Sequence, residues 1–90
     1  MMIISYDIAD DKLRNQFSKM LTKNGAIRLQ YSVYEVNNTS RVINNIIVKI
    51  EDGFAKYFTG GDSVAIFDIG NSKVMKFGNA IHRDQDVVYF

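Results

Sequence analysis

Ninety residues, 47% of them hydrophobic and none of them proline, make one small folded domain spanning residues 1–90 rather than a disordered segment. The absence of cysteine excludes disulfides, thiolate zinc sites and cysteine nucleophiles together. No apolar run approaches the ~20 residues needed to span a bilayer, and Met1 to Ile4 gives way too soon to Ser5, Tyr6 and Asp7 to serve as a signal peptide, so the reading is of a cytoplasmic protein with no membrane contact.

The net charge of +1 conceals an uneven distribution. Lys12, Arg14, Lys19, Lys23 and Arg28 fall between Lys12 and Tyr34, a window without Asp or Glu, whereas Asp7, Asp10 and Asp11 precede it and the other acids begin at Glu35. A locally basic face is the electrostatic footprint of a phosphate-backbone partner, and a solvated helix face has the same composition.

In chain order, the apolar run Met2 to Ser5, closed by Tyr6, Asp7 and Ile8, predicts a central strand ending near Asp7 or Ile8. Asp10 or Asp11 then caps a helix in which Leu13, Phe17, Met20 and Leu21 recur at helical spacing, and Asn24-Gly25 stops it. From Ala26 to Asn37 the pattern alternates, with Ile27, Leu29, Tyr31 and Val33 on one side and Arg28, Gln30, Ser32 and Tyr34 on the other. This is one long strand, or two split near Gln30 to Ser32. Asn37 to Ser40 supplies a turn and a helix cap. The spacing of Ile43, Ile46, Ile47, Ile50 and Phe54 predicts a second helix, because it runs past strand length despite its β-branched content. After the break at Thr59-Gly60-Gly61-Asp62, Ser63 to Ile69 reads as a strand, and Lys73 to Phe77 as another after the turn at Gly70-Asn71-Ser72. Residues 78–90 form a polar tail that ends in Val87-Val88-Tyr89-Phe90, which should pair with a sheet edge of its own chain or of a partner.

This order predicts an α+β protein, a ferredoxin-like βαββαβ sandwich with extra C-terminal strands and both helices on one sheet face. The opposite face needs a cover, and a second copy related by a two-fold axis is the economical one, which makes the protein a homodimer.

Asp10 and Asp11 are accounted for as helix cap and first-turn acid. Asp7, following an apolar strand, is expected to be partly buried, and two roles remain open for it. It accepts backbone N–H bonds in the strand-to-helix turn, or it binds a cation. Mg²⁺ is often held by one or two carboxylates with waters and phosphate oxygens completing its shell, and a two-fold axis near the strand end would bring two copies of Asp7 together around such an ion. Tyr6, Tyr31 and Tyr34 either stack on bases or fill the core, and Arg28 shares its side of the alternating segment with Tyr34. His82, the only histidine, sits among polar residues and reads as a surface residue.

Taken together, Ser5-Tyr6-Asp7-Ile8, Asp10-Asp11-Lys12 with Arg14, Gln30-Tyr31-Ser32-Val33-Tyr34-Glu35 and Asp62-Ser63-Val64 resemble the CRISPR-associated protein Cas-two family over nearly the whole chain. The resemblance implies a ferredoxin-like homodimer that serves in spacer acquisition, bridging dimers of an integrase partner and helping to hold the DNA to be inserted. It also implies a divalent-metal-dependent endonuclease acting on RNA or double-stranded DNA. On that reading Asp7 is the catalytic metal ligand for Mg²⁺, while Lys12, Arg14 and Arg28, with the nearby aromatics Tyr6 and Tyr34, are the nucleic-acid-binding positions. Gln16 stands where some members carry arginine, which thins the basic patch, and Tyr34 stands where phenylalanine is frequent. The C-terminal residues resemble the tail that joins a sheet edge or engages the integrase. A toxin-like ribonuclease and a non-catalytic, small-molecule-sensing dimer are the competing functions on the same fold.

Overall fold

The chain, a computed structural model describing residues 1–70, 74–77 and 87–89, runs from strand β1 (Met2–Asp7) into helix α1 (Asp11–Lys23). Strands β2 (Ile27–Gln30) and β3 (Val33–Val36), helix α2 (Ser40–Lys49) and strand β4 (Ser63–Asp68) follow. The four strands form one antiparallel sheet of order β2-β3-β1-β4, the order of a ferredoxin-like sandwich, and both helices pack on the same face.

Local chemistry sets the boundaries. The Asp10 carboxylate accepts the Leu13 N–H at 2.7 Å and the Thr39 hydroxyl accepts that of Val42 at 3.4 Å, each satisfying a donor that a helix start leaves without a partner. Gly25 takes φ +86°, the left-handed conformation that closes α1 just past Asn24. The Ile-rich stretch is helical as its spacing predicts, and it continues beyond Lys49 as a π-helical turn over Ile50–Phe54 and a 3-10 turn over Ala55–Tyr57.

The segment from Ala26 to Asn37 is two strands, folded back on each other. Ser32 adopts φ +64°, the chain reverses at Tyr31-Ser32, and Arg28 lies opposite Tyr34 while Gln30 lies opposite Val33 across an irregularity at Leu29. The alternation therefore does not carry through from Ile27 to Tyr34. Arg28 and Tyr34 still share a side of the sheet as cross-strand partners, but Tyr34 turns into the core, so the ring is not open to a base as Arg28 is to a phosphate.

Register explains the core. Ile4 lies between Tyr34 and Ile66, and Tyr6 lies beside Val64, so these side chains share the helix-covered face. Phe17 and Leu21 of α1 and Ile46 and Ile50 of α2 pack on them. Full burial of such side chains stabilises the fold by about 1.5–3 kcal/mol each. The other face carries Ile3, Ser5 and Asp7, with Glu35 and Phe67 beside Ile3, Val33 and Ala65 beside Ser5, and Ser63 beside Asp7. Phe67 is 53% exposed there.

The C-terminal strands β5 (Val74–Lys76) and β6 (Val87–Tyr89) pair in parallel as a separate two-stranded sheet, so the apolar tail finds a strand of its own chain. The turn residues Asn71 and Ser72 with Lys73, the stretch from Gly78 to Asp86 with His82, and Phe90 lie outside the described residues. Among the described residues no helix is long and apolar enough to cross a membrane.

Candidate nucleic-acid interface

Asp7 closes β1 and, two residues beyond Ser5, sits on the helix-free face of the sheet. Its side chain is exposed, not partly buried as the apolar run before it suggests, because it stands at the strand end on the face the helices leave open. Among the described residues it makes no hydrogen bond or ion pair, so the role of turn acceptor falls to other acids. Asp10 caps α1, Asp11 pairs with Arg14, and Asp62 accepts the N–H groups of Ala9 and Thr59, both at 3.0 Å. Glu35, the buried acid on the same face as Asp7, stands opposite Ile3, four residues back along β1 and roughly 13 Å away by strand rise. Asp7 is thus a carboxylate left open at the edge of the sheet.

Two arginines converge on one exposed ring, and one of them is bonded to the backbone just after Asp7. Arg14, in the first turn of α1, donates to the Ile8 carbonyl at 3.1 Å and to that of Ala9 at 3.5 Å, and pairs with Asp11. The bond to Asp11 is the main reason its pKa is raised, so it stays cationic at every relevant pH. Arg28 projects from edge strand β2. The guanidinium carbons of Arg14 and Arg28 lie 5.9 and 5.8 Å from the ring centre of Tyr31, which is 66% exposed at the tip of the β2–β3 turn. Lys12 is exposed on the same first turn of α1.

Tyr6 and Tyr34 are placed differently from the two arginines. They are 7% and 3% exposed, their rings stack at 6.1 Å, Tyr6 also packs on Phe17, and the Tyr34 hydroxyl is hydrogen-bonded to that of Ser18. Burial, and secondarily the adjacent Tyr34, raises the Tyr6 pKa and keeps its hydroxyl protonated. Both rings belong to the core, and neither offers a face to a ligand.

Sequence leaves Tyr31 open between base stacking and core and gives Asp62 no role of its own, and both lie at this corner. Tyr31 was masked by the apparent continuity of the alternating segment, which assigned it to the apolar side. Asp62 ties the α2–β4 turn to the β1–α1 loop, since it holds Ala9, whose carbonyl with that of Ile8 positions Arg14. Those backbone donors, Ala9 first, pull its pKa below the ordinary 3.8. The pattern Gly60-Gly61-Asp62 was its signal, because an acid closing a glycine turn commonly caps backbone N–H groups.

A second basic region lies between the helices. Lys19, Lys23 and Lys49, with Gln16, Met20 and Asn24, line an open cleft of about 270 Å³.

As a metal site, one chain is incomplete: among the described residues no group of three His, Cys, Asp or Glu side chains could hold an ion. The donor chemistry at Asp7 nevertheless suits Mg²⁺, a hard cation that accepts one or two carboxylates and retains waters, and the exposed carboxylate is open to a ligand shared with a second copy.

The family model described as CRISPR associated protein Cas2 matches residues 1–77. The chain belongs to the Cas2 family. A CRISPR-associated role follows from that membership. Among solved structures, the fold is similar to that of a hypothetical protein from Thermus thermophilus, with a TM-score of 0.73 at 22% identity, covering 90% of this chain and 93% of the other. It is also similar to a crystal structure of Cas2, with a TM-score of 0.58 at 23% identity, covering 73% of this chain and 69% of that one. Comparison with curated proteins returns no match. At these identities the structural likeness speaks to the fold, and it agrees with the sheet order and helix placement above.

Proposed function

We propose that this Cas2-family chain works in spacer acquisition as a homodimer that holds nucleic acid against the Arg14–Tyr31–Arg28 corner, bridges an integrase partner and cleaves phosphodiesters at Asp7 with a divalent cation. The observation that carries the reading is the convergence of two guanidiniums on one exposed ring beside the residues that follow an open carboxylate. Arg14 and Arg28, with Lys12, neutralise backbone phosphates, and Arg14 is held in place for this by the Ile8 carbonyl. The helix-free face, with Phe67 exposed, supplies the dimer contact that brings two copies of Asp7 toward one axis. Two like charges there favour a shared cation or proton; the paired Asp7 carboxylates would hold Mg²⁺, which when bound would supply Lewis-acid polarisation of the phosphate and activation of water.

Asp7→Asn tests the reading at the carboxylate. It keeps size and hydrogen-bonding capacity at an exposed position, so the fold should be unchanged. Metal-dependent cleavage of RNA or duplex DNA should fall by about 100-fold or more, while duplex affinity stays within about twofold. Cleavage that persists would remove Asp7 from the chemistry; spacer integration that survives the loss of cleavage would leave the protein an architectural one.

A further inference from the structure

The corner carries more than charge. We infer that Tyr31 is a stacking platform for an unpaired nucleobase, flanked by Arg14 and Arg28 as anchors for the phosphates on either side of that nucleotide. This rests on the nucleic-acid reading above and deepens it, because phosphate contacts alone do not distinguish a paired from an unpaired strand.

Exposure is the first support. A tyrosine ring 66% open to solvent forgoes much of the burial that makes aromatic residues useful in a core, whereas Tyr6 and Tyr34 at the same end of the sheet obtain that burial fully. The second support is preorganisation. Ser32 holds the turn in a left-handed conformation at φ +64°, sparsely populated for a residue with a side chain, and its carbonyl accepts the Tyr6 N–H at 3.1 Å, fastening the turn to β1. Arg14 is fixed in turn by the Ile8 carbonyl and the Asp11 carboxylate. A turn and an arginine so fixed lose little conformational entropy when a nucleotide arrives. The third is geometric exclusion: bases within a duplex are stacked on both faces, so an exposed aromatic face takes a base only from an end, a tail or a loop.

The test compares two DNA ligands with the same paired stem, one blunt and one carrying a short unpaired tail that contains 2-aminopurine, whose fluorescence is quenched on stacking. The wild-type chain should bind the tailed ligand about tenfold more tightly and quench it, the low end of what one stacked base contributes. Tyr31→Ala should abolish the quench and bring the ratio of tailed to blunt affinity down to about one, and Tyr31→Phe should preserve both the quench and the preference. Equal weakening of blunt and tailed binding by Tyr31→Ala would overturn the inference, since the ring would then only prop the arginines. Absence of a tail preference in the wild type, with binding still weakened by neutralising Arg14 and Arg28, would overturn it and leave the phosphate reading standing. A wild-type chain that bound neither ligand would defeat the nucleic-acid reading itself, and the inference with it.

Discussion

The arginine corner and the lysine cleft carry similar charge and are built for different ends. At the corner, Arg14 is fixed by a backbone carbonyl, a carboxylate and a ring, and Arg28 shares that ring. In the cleft, the side chains of Lys19, Lys23 and Lys49 make no hydrogen bond or ion pair among the described residues, and Lys23 and Lys49 sit in the last turns of α1 and α2, where a cation answers the negative end of the helix dipole. Arginine presents a planar fork that matches a phosphate, whereas lysine is a mobile point charge on a flexible stem. The comparison teaches that a basic window in a sequence counts charges without separating those held ready for an anion from those that finish a helix.

The largest effect expected from this difference is on duplex affinity. Replacing Arg14 and Arg28 together with alanine should weaken binding by about 10- to 100-fold at moderate salt and lower the steepness of its salt dependence by about two phosphates' worth. Replacing Lys19, Lys23 and Lys49 together removes one more charge and should cost less than about fivefold. A greater loss from the lysine triple would invert the assignment of the two regions.

A smaller effect sharpens it. Asp62→Ala frees the β1–α1 loop that carries the carbonyls under Arg14, so duplex affinity should fall by about three- to fivefold, with no change in the contribution of the lysines. The same variant has a pH signature. The folded pKa of Asp62 lies below its ordinary 3.8, so the stability it contributes is present above that value and is lost as pH falls through the folded pKa. Urea midpoints of wild type and Asp62→Ala should therefore differ at pH 6 and converge in stronger acid. A difference that persisted at the lowest pH would assign the effect to something other than the ionised carboxylate.

Much of the fold was legible because local and global signals agree in it. The apolar run at Met2 to Ser5, the spacing of Leu13, Phe17, Met20 and Leu21, and the Gly60-Gly61 break each match an observed element. The hairpin was not resolved because Tyr31-Ser32 lacks the Gly or Asn that marks a tight reversal, and the two-residue period runs on across it. That one ambiguity hid both the exposure of Tyr31 and the burial of Tyr34. Asp7 stands out as a carboxylate closing an apolar strand and Arg14 as part of the basic window, and the motif resemblance adds a role to each, but periodicity does not show that Asp7 is exposed, since exposure at a strand end depends on which face the helices cover. The glycine turn before Asp62 signals its local bond to Thr59, but its hold on Ala9, distant in sequence, is a pairing that no local pattern records.

The most direct test of the corner's role is an amide chemical-shift titration of the full chain with a short DNA duplex. The account predicts shifts concentrated at Ile8 to Arg14 and Arg28 to Ser32, with Lys19 to Asn24 and Lys49 little changed. Shifts centred on the lysine cleft, or none at the corner at saturating duplex, would contradict it.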